Sequence, residues 1–85
     1  KVNSRVNSMK GAIEIMNGQY DKAKGSLAAA ENDGKTNINK GLLYLLSKDY
    51  TQANNGFDAA KKDEVVGAKA YYMSAITAAR QGSAS

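Results

Sequence analysis

Few side chains in this 85-residue chain could do chemistry. It has no histidine and no cysteine. That removes thiolate nucleophiles, disulfides, Cys/His zinc sites and imidazole acid–base catalysis together. Asp63-Glu64 is the only adjacent acidic pair. Acid–base work requires carboxyls that converge on one substrate, whereas a pair that opens a helix caps free amides and complements the helix dipole. The second reading fits its place in the chain. No glycine cluster joins a strand to a helix, so a phosphate-cradling loop is excluded. Five tyrosines and twelve basic residues are raw material for a nucleic-acid surface. The tyrosines, however, fall at helix-packing positions, and the lysines form no stripe. The residues therefore predict no catalytic group, no bound metal, no cofactor and no nucleic-acid partner.

Composition sets the frame for these residues. Apolar residues make up 42% and charged residues 24%, which suits a globular chain rather than a disordered one. The net charge of +4 comes from scattered lysines and reads as a solvated surface. No apolar run approaches the length of a membrane span, so this segment is not expected to insert. The chain begins at Lys1 and reads as an excerpt or a processed form, so the lack of a signal peptide is silent on location.

The pattern is helical throughout. Val2, Val6, Met9, Ile13 and Met16 recur at steps of four and three, one face of a helix with Asn3 or Ser4 as its cap. Asn17-Gly18 ends it. A second helix is expected over residues 20–31, with Tyr20, Ala23, Leu27 and Ala30 facing inward. Glu31 to Gly34 is a turn by composition. A central helix capped by Thr36 runs to about Ser47-Lys48. Its stretch from Leu42 to Leu46 is apolar or aromatic on every side and so needs cover on every side. Asp49, with Gln52, caps a fourth helix over 50–62 that turns Tyr50, Ala53, Phe57 and Ala60 inward. Asn54-Asn55-Gly56 is costly inside it and predicts a kink or a weakly packed surface. A fifth helix capped by Asp63 spans 64–81, with Val65, Val66, Tyr72, Ala75, Ile76 and Ala79 inward. Gly82 stops it ahead of a frayed tail. No convincing strand is present; Val65-Val66 is too short.

The chain repeats itself at an offset of 30 residues. The matches are Asn7/Asn37, Lys10/Lys40, Gly11/Gly41, Tyr20/Tyr50, Ala23/Ala53, Ala29/Ala59 and Ala30/Ala60. Such a period marks stacked supersecondary units. Glycine in the first helix of each pair admits its partner closely. The alanine three residues after each tyrosine keeps the helices near, and Leu27 or Phe57 fills the wider end. The fifth helix reads as the start of a third unit, with Lys69-Ala70-Tyr71-Tyr72 echoing Lys40-Gly41-Leu42-Leu43. One domain of residues 1–85 is expected, with units over 4–33 and 34–62, a partial unit over 63–81 and a tail over 82–85.

The spacing Gly11-x6-Gly18-x-Tyr20-x2-Ala23-x3-Leu27-x2-Ala30, and its counterpart from Gly41 to Ala60, resembles the tetratricopeptide repeat family. The period is shorter than that family's usual value of about 34, and the proline that often ends a unit is absent. The phrases Gly41 to Tyr50 and Ala68 to Tyr72 also look like repeats in cell-envelope proteins of Gram-negative bacteria, which would imply a periplasmic or envelope location. The resemblance implies an all-α superhelix of stacked helix pairs, about five helices in all. It further implies a non-enzymatic interaction module whose first helices line a concave groove for a protein or peptide partner. The groove residues it implies are Ala12, Ile15 and Met16, then Leu42, Leu45 and Leu46, then Tyr71, Ser74 and Ala75, with Leu42 and Tyr71 as leading anchors. Leu45 and Leu46 compete for a plain core role. Some members clamp a terminal carboxylate with basic and amide side chains. The matching positions here hold Ser8, Ala12, Glu64 and Ala68, and only Asn39 fits, which argues against a clamp. Two other classes stand beside this one. One is a structural spacer or packing domain whose groove binds nothing. The other is a basic helical repeat for nucleic acid, which would be strongly salt-dependent.

Overall fold

A computed structural model describes the backbone over residues 2–31 and 33–84, and the side chains over 6–31 and 33–82. The described residues form five helices and no strand: α1 Val2–Met16, α2 Tyr20–Ala28, α3 Gly34–Leu46, α4 Tyr50–Ala60 and α5 Gly67–Ala84. The expected all-α architecture holds, as do two helix pairs followed by a fifth helix. α1 packs on α2, α3 on α4 and α4 on α5, while α3 also touches α1 and α2.

Local chemistry explains most of the boundaries. α1 ends on a left-handed Gly18 at φ 75°. The Gly18 amide donates to the Ile15 carbonyl and the Gln19 amide to the Glu14 carbonyl, a Schellman stop. α3 ends the same way, through Lys48 to Leu45 and Asp49 to Tyr44. Lys48 holds φ 65° there without glycine's freedom. Asp49 caps α4, its carboxylate accepting from the Gln52 amide at 3.3 Å. Gln19, at the equivalent place before α2, makes no such bond.

Several expected ends move. α1 already includes Asn3 and Ser4, so neither precedes it; their side chains lie outside the described residues. α3 is capped by Asp33, which accepts from the Thr36 amide at 2.8 Å, so Thr36 stands inside the first turn. Asp63 accepts from the Val65 and Val66 amides at 2.8 and 2.9 Å. It closes a turn, and α5 proper starts only at Gly67. α5 then continues through Gly82 to Ala84. Nothing packs near Gly82, and one exposed glycine costs a helix only about 1 kcal/mol. α2 and α4 stop at Ala28 and Ala60, short of the expected ends.

Two apolar clusters hold the stack, and α3 belongs to both. Leu43 joins Ile15, Ala23 and Leu27, with Tyr20 and Leu42 at the margin. Ile38 and Leu45 join Ala53, Phe57, Ala60 and Ala70, with Val66, Met73 and Ile76 beside them. Leu27, Leu43 and Phe57 are essentially fully buried, each contributing roughly 1.5–3 kcal/mol. The repeated glycines act as expected. A β-carbon at Gly11 would lie 2.6 Å from Leu27, and one at Gly41 2.5 Å from Phe57. Gly56 does not mark a weak surface. It sits where α4 crosses α3, and a β-carbon there would come within 2.8 Å of the Gly41 backbone nitrogen. Its poor helix propensity is offset by this close approach.

The 30-residue register continues into α5. Asp63 repeats the cap of Asp33. Thr77 donates to the Met73 carbonyl as Ser47 donates to that of Leu43, both at 2.8 Å. The match of Lys69–Tyr72 with Lys40–Leu43 is therefore one residue out. Tyr71, not Ala70, stands in the place of Gly11 and Gly41. The same slip explains the inner face of α5. Val65 and Tyr72 are 81% and 68% exposed, and Ala75 and Ala79 are exposed too. Ala70 and Thr77 are buried instead, with Val66 and Met73 packed alongside.

Candidate functional site

The first helices of the pairs touch one another, α1 to α3 and α3 to α5, whereas α2 and α4 do not meet. An array whose first helices touch while its second helices splay apart is curved, with the first helices on the inner side. That side is tied by polar groups. Asn39 donates from Nδ2 to the Ser8 carbonyl and hydroxyl at 3.5 and 3.3 Å. Thr36, wholly buried, donates to the same Ser8 hydroxyl at 3.3 Å. The one residue that matched a carboxylate clamp, Asn39, thus spends its amide joining α1 to α3.

Asn39 also marks the direction of the inner surface. Leu42 and Leu46 follow it by three and seven residues and lie on the same side of α3. The register places Ala12 and Met16 of α1 and Tyr72 and Ile76 of α5 in the same rows. Met16, Leu46 and Tyr72 are 79%, 40% and 68% exposed, and Ala12, Leu42 and Ile76 are partly buried. The result is an apolar strip across three helices. α3 is therefore not covered on every side, since Leu46 is open to solvent.

The expected groove residues divide into three groups. Ala12, Met16, Leu42 and Leu46 fall in this strip. Ile15 and Leu45 are each only 3% exposed and belong to the two cores, out of a partner's reach. Tyr71, Ser74 and Ala75 lie off the strip. The Tyr71 ring is under the Lys61 ammonium at 4.9 Å, on the side of α5 that faces the end of α4. Ser74 is half-buried and shares the register of Tyr44, and Ala75 that of Leu45. Tyr72 and Ile76 were missed because the third unit was matched one residue early. Asp33 and Asp63, cap residues one period apart, carried the correct register in the sequence.

A cleft of about 490 Å³ opens at one end of the strip, lined by Ser8, Met9, Asp33, Gly34, Lys35, Asp63 and Val65. Its two carboxylates are committed to capping. Bonds from the Val66 and Val65 amides, helped by the Lys35 charge, hold the Asp63 carboxyl below the usual carboxylate range. Among the described residues no three carboxylates gather as a metal site would require, and no helix is long and apolar enough to cross a membrane.

These features define a curved stack of helix pairs with an apolar inner strip. No family model, curated protein or solved structure matches the chain.

Proposed function

We propose that the chain is a non-enzymatic protein-interaction module of the tetratricopeptide-like kind, which takes an apolar or amphipathic segment along the inner side of α1, α3 and α5. One observation carries this reading: Met16 and Leu46 in one row of the strip, and Tyr72 in the row beside it, are exposed apolar side chains on three helices that are otherwise packed. Exposed apolar side chains in one contiguous strip mark an interaction surface more than a solvated one. A segment lying along the curve would meet Leu42 at the centre, with its flanks held by Met16 and Tyr72.

The test is selection of binding peptides from a displayed library, followed by chemical-shift mapping on the full chain. Shifts are expected at Met16, Leu42, Leu46 and Tyr72. Leu46→Asp should weaken binding about tenfold or more, as loss of an apolar anchor does, while leaving the melting temperature nearly unchanged. Shifts confined to α2 and α4 would move the site to the outer face and refute this reading.

A further inference from the structure

The outward face of α1 is a second exposed apolar surface, which borders the inner strip at Met9. Val6, Met9 and Ile13 are 53%, 65% and 52% exposed. With Lys10 and Glu14 they line an almost wholly apolar furrow of about 420 Å³. We propose that this face is the acceptor surface for a further amphipathic helix of the α2 and α4 kind, with acidic residues at its margin.

The repeat itself says what covers such a face. Val6 and Ile13 share register with Thr36 and Leu43 of α3, and with Val66 and Met73 of α5. Thr36 is fully buried, and Leu43 packs against Ala23 and Leu27 of α2. Val66 and Met73 pack against the cluster that holds Ala53, Phe57 and Ala60 of α4. In both places where the chain shows this face occupied, the occupant is the preceding pair: on α3 its first helix takes the Thr36 and Asn39 side chains at Ser8, and the apolar part of the face, Leu43 or Met73, packs on its second helix. That second helix presents an alanine and, four residues on, a leucine or phenylalanine. α1 offers the same face with more apolar residues, Val6 and Met9 standing where α3 has Thr36 and Asn39.

A second copy of the chain fits less well. α5, at the far end of the array, ends no pair. Tyr71 occupies the place where Gly11 and Gly41 admit a partner side chain, so its bulk blocks a helix seated as α2 and α4 are. Pairing two α1 helices along their seam would bring Lys10 of each copy to the shared margin, like charge against like. A partner helix with acidic margins meets Lys10 favourably instead.

The experiment grafts a second copy of residues 19–33 in place of residues 1–3, so that the added helix enters α1 as α2 enters α3. Tethering keeps its effective concentration high, so weak affinity does not mask docking. The methyl groups of Val6, Met9 and Ile13 should become several-fold less accessible to a soluble paramagnetic probe, and the melting temperature should rise. Ile13→Asp should abolish both effects in the grafted chain while leaving the melting temperature of the ungrafted chain unchanged. Methyl groups that stay accessible, protection indifferent to Ile13→Asp, or protection that arises with a doubled mass would each overturn the proposal. If the graft disturbs folding, free peptide 19–33 titrated into the unmodified chain decides. Saturable shifts at Val6, Met9 and Ile13 support it. Shifts confined to Leu42, Leu46 and Tyr72, or none, refute it without touching the inner-strip reading.

Discussion

Val6, Met9 and Ile13 of α1 and Thr36, Asn39 and Leu43 of α3 hold the same places in the repeat, yet their surroundings are opposite. The three on α1 are more than half exposed although all are apolar. On α3 the threonine is wholly buried, the asparagine is partly buried and hydrogen-bonded, and the leucine is 1% exposed. The difference is the neighbour. α3 has α1 and α2 before it and α4 after it, whereas α1 packs on α2 and α3 and leaves the far side open. Burial in a stacked array is thus a property of position in the stack, and residue type follows it only where a neighbour exists.

The same two units differ at their joints. The second pair crosses closely at Gly56, where the first pair has Ser26, buried and donating to Glu14 at 2.6 Å. The first pair has Gly18 at its left-handed stop and an uncapped α2. The second has Lys48 at that stop and a capped α4.

The sharpest break of this contrast is a matched pair of truncations. Leu43→Ala should cost about 2–5 kcal/mol in chemical denaturation, since it empties a fully packed site. Ile13→Ala, at the same register, should change stability by less than about 0.5 kcal/mol. Equal losses would show that α1's outward face is covered after all.

Glycines give the next largest effects. Gly56→Ala should destabilise by about 1–3 kcal/mol, because its β-carbon meets backbone that cannot turn aside. Gly25→Ala in α2 faces open space and should stabilise by about 0.5–1 kcal/mol. Thermal melts of the two variants should therefore shift in opposite directions.

Exchanging the joints should improve each unit with the other's solution. Gln19→Asp supplies the missing cap and should add about 1 kcal/mol. Lys48→Gly relieves the left-handed strain and should add about 0.5–1 kcal/mol. Urea midpoints read both, and an unchanged midpoint for Gln19→Asp would mean the entry to α2 is not limiting.

The smallest effect is a pH dependence. Asp63's folded carboxyl titrates below its unfolded value, so its contribution is present above the usual carboxylate range. As pH falls, the unfolded chain takes up the proton first and that contribution is lost. Asp63→Asn should flatten the acid limb of stability against pH; an unchanged limb would assign it to other carboxylates.

The sequence by itself determined the five helices, the 30-residue period and the packing of the pairs. Gly11, Gly41, Ala23, Ala53, Leu27 and Phe57 state those features through local propensity and side-chain size, which need no distant partner to be read. Four of the nine residues expected to face the groove, Ala12, Met16, Leu42 and Leu46, fall in the apolar strip because they follow helical spacing on repeated segments. The tertiary structure decided the rest. Ile15 and Leu45 are as apolar as Met16 and Leu46, and only the approach of α2 and α4 makes the first two core and leaves the second two open. The register of α5 was carried by cap and hydroxyl contacts from Asp63 and Thr77, which are weaker sequence signals than the tyrosine pair that misplaced it. The uncovered face of α1 was beyond sequence reading for the same reason: helical periodicity shows that a helix has an apolar side, and only the placement of its neighbours shows whether that side is filled.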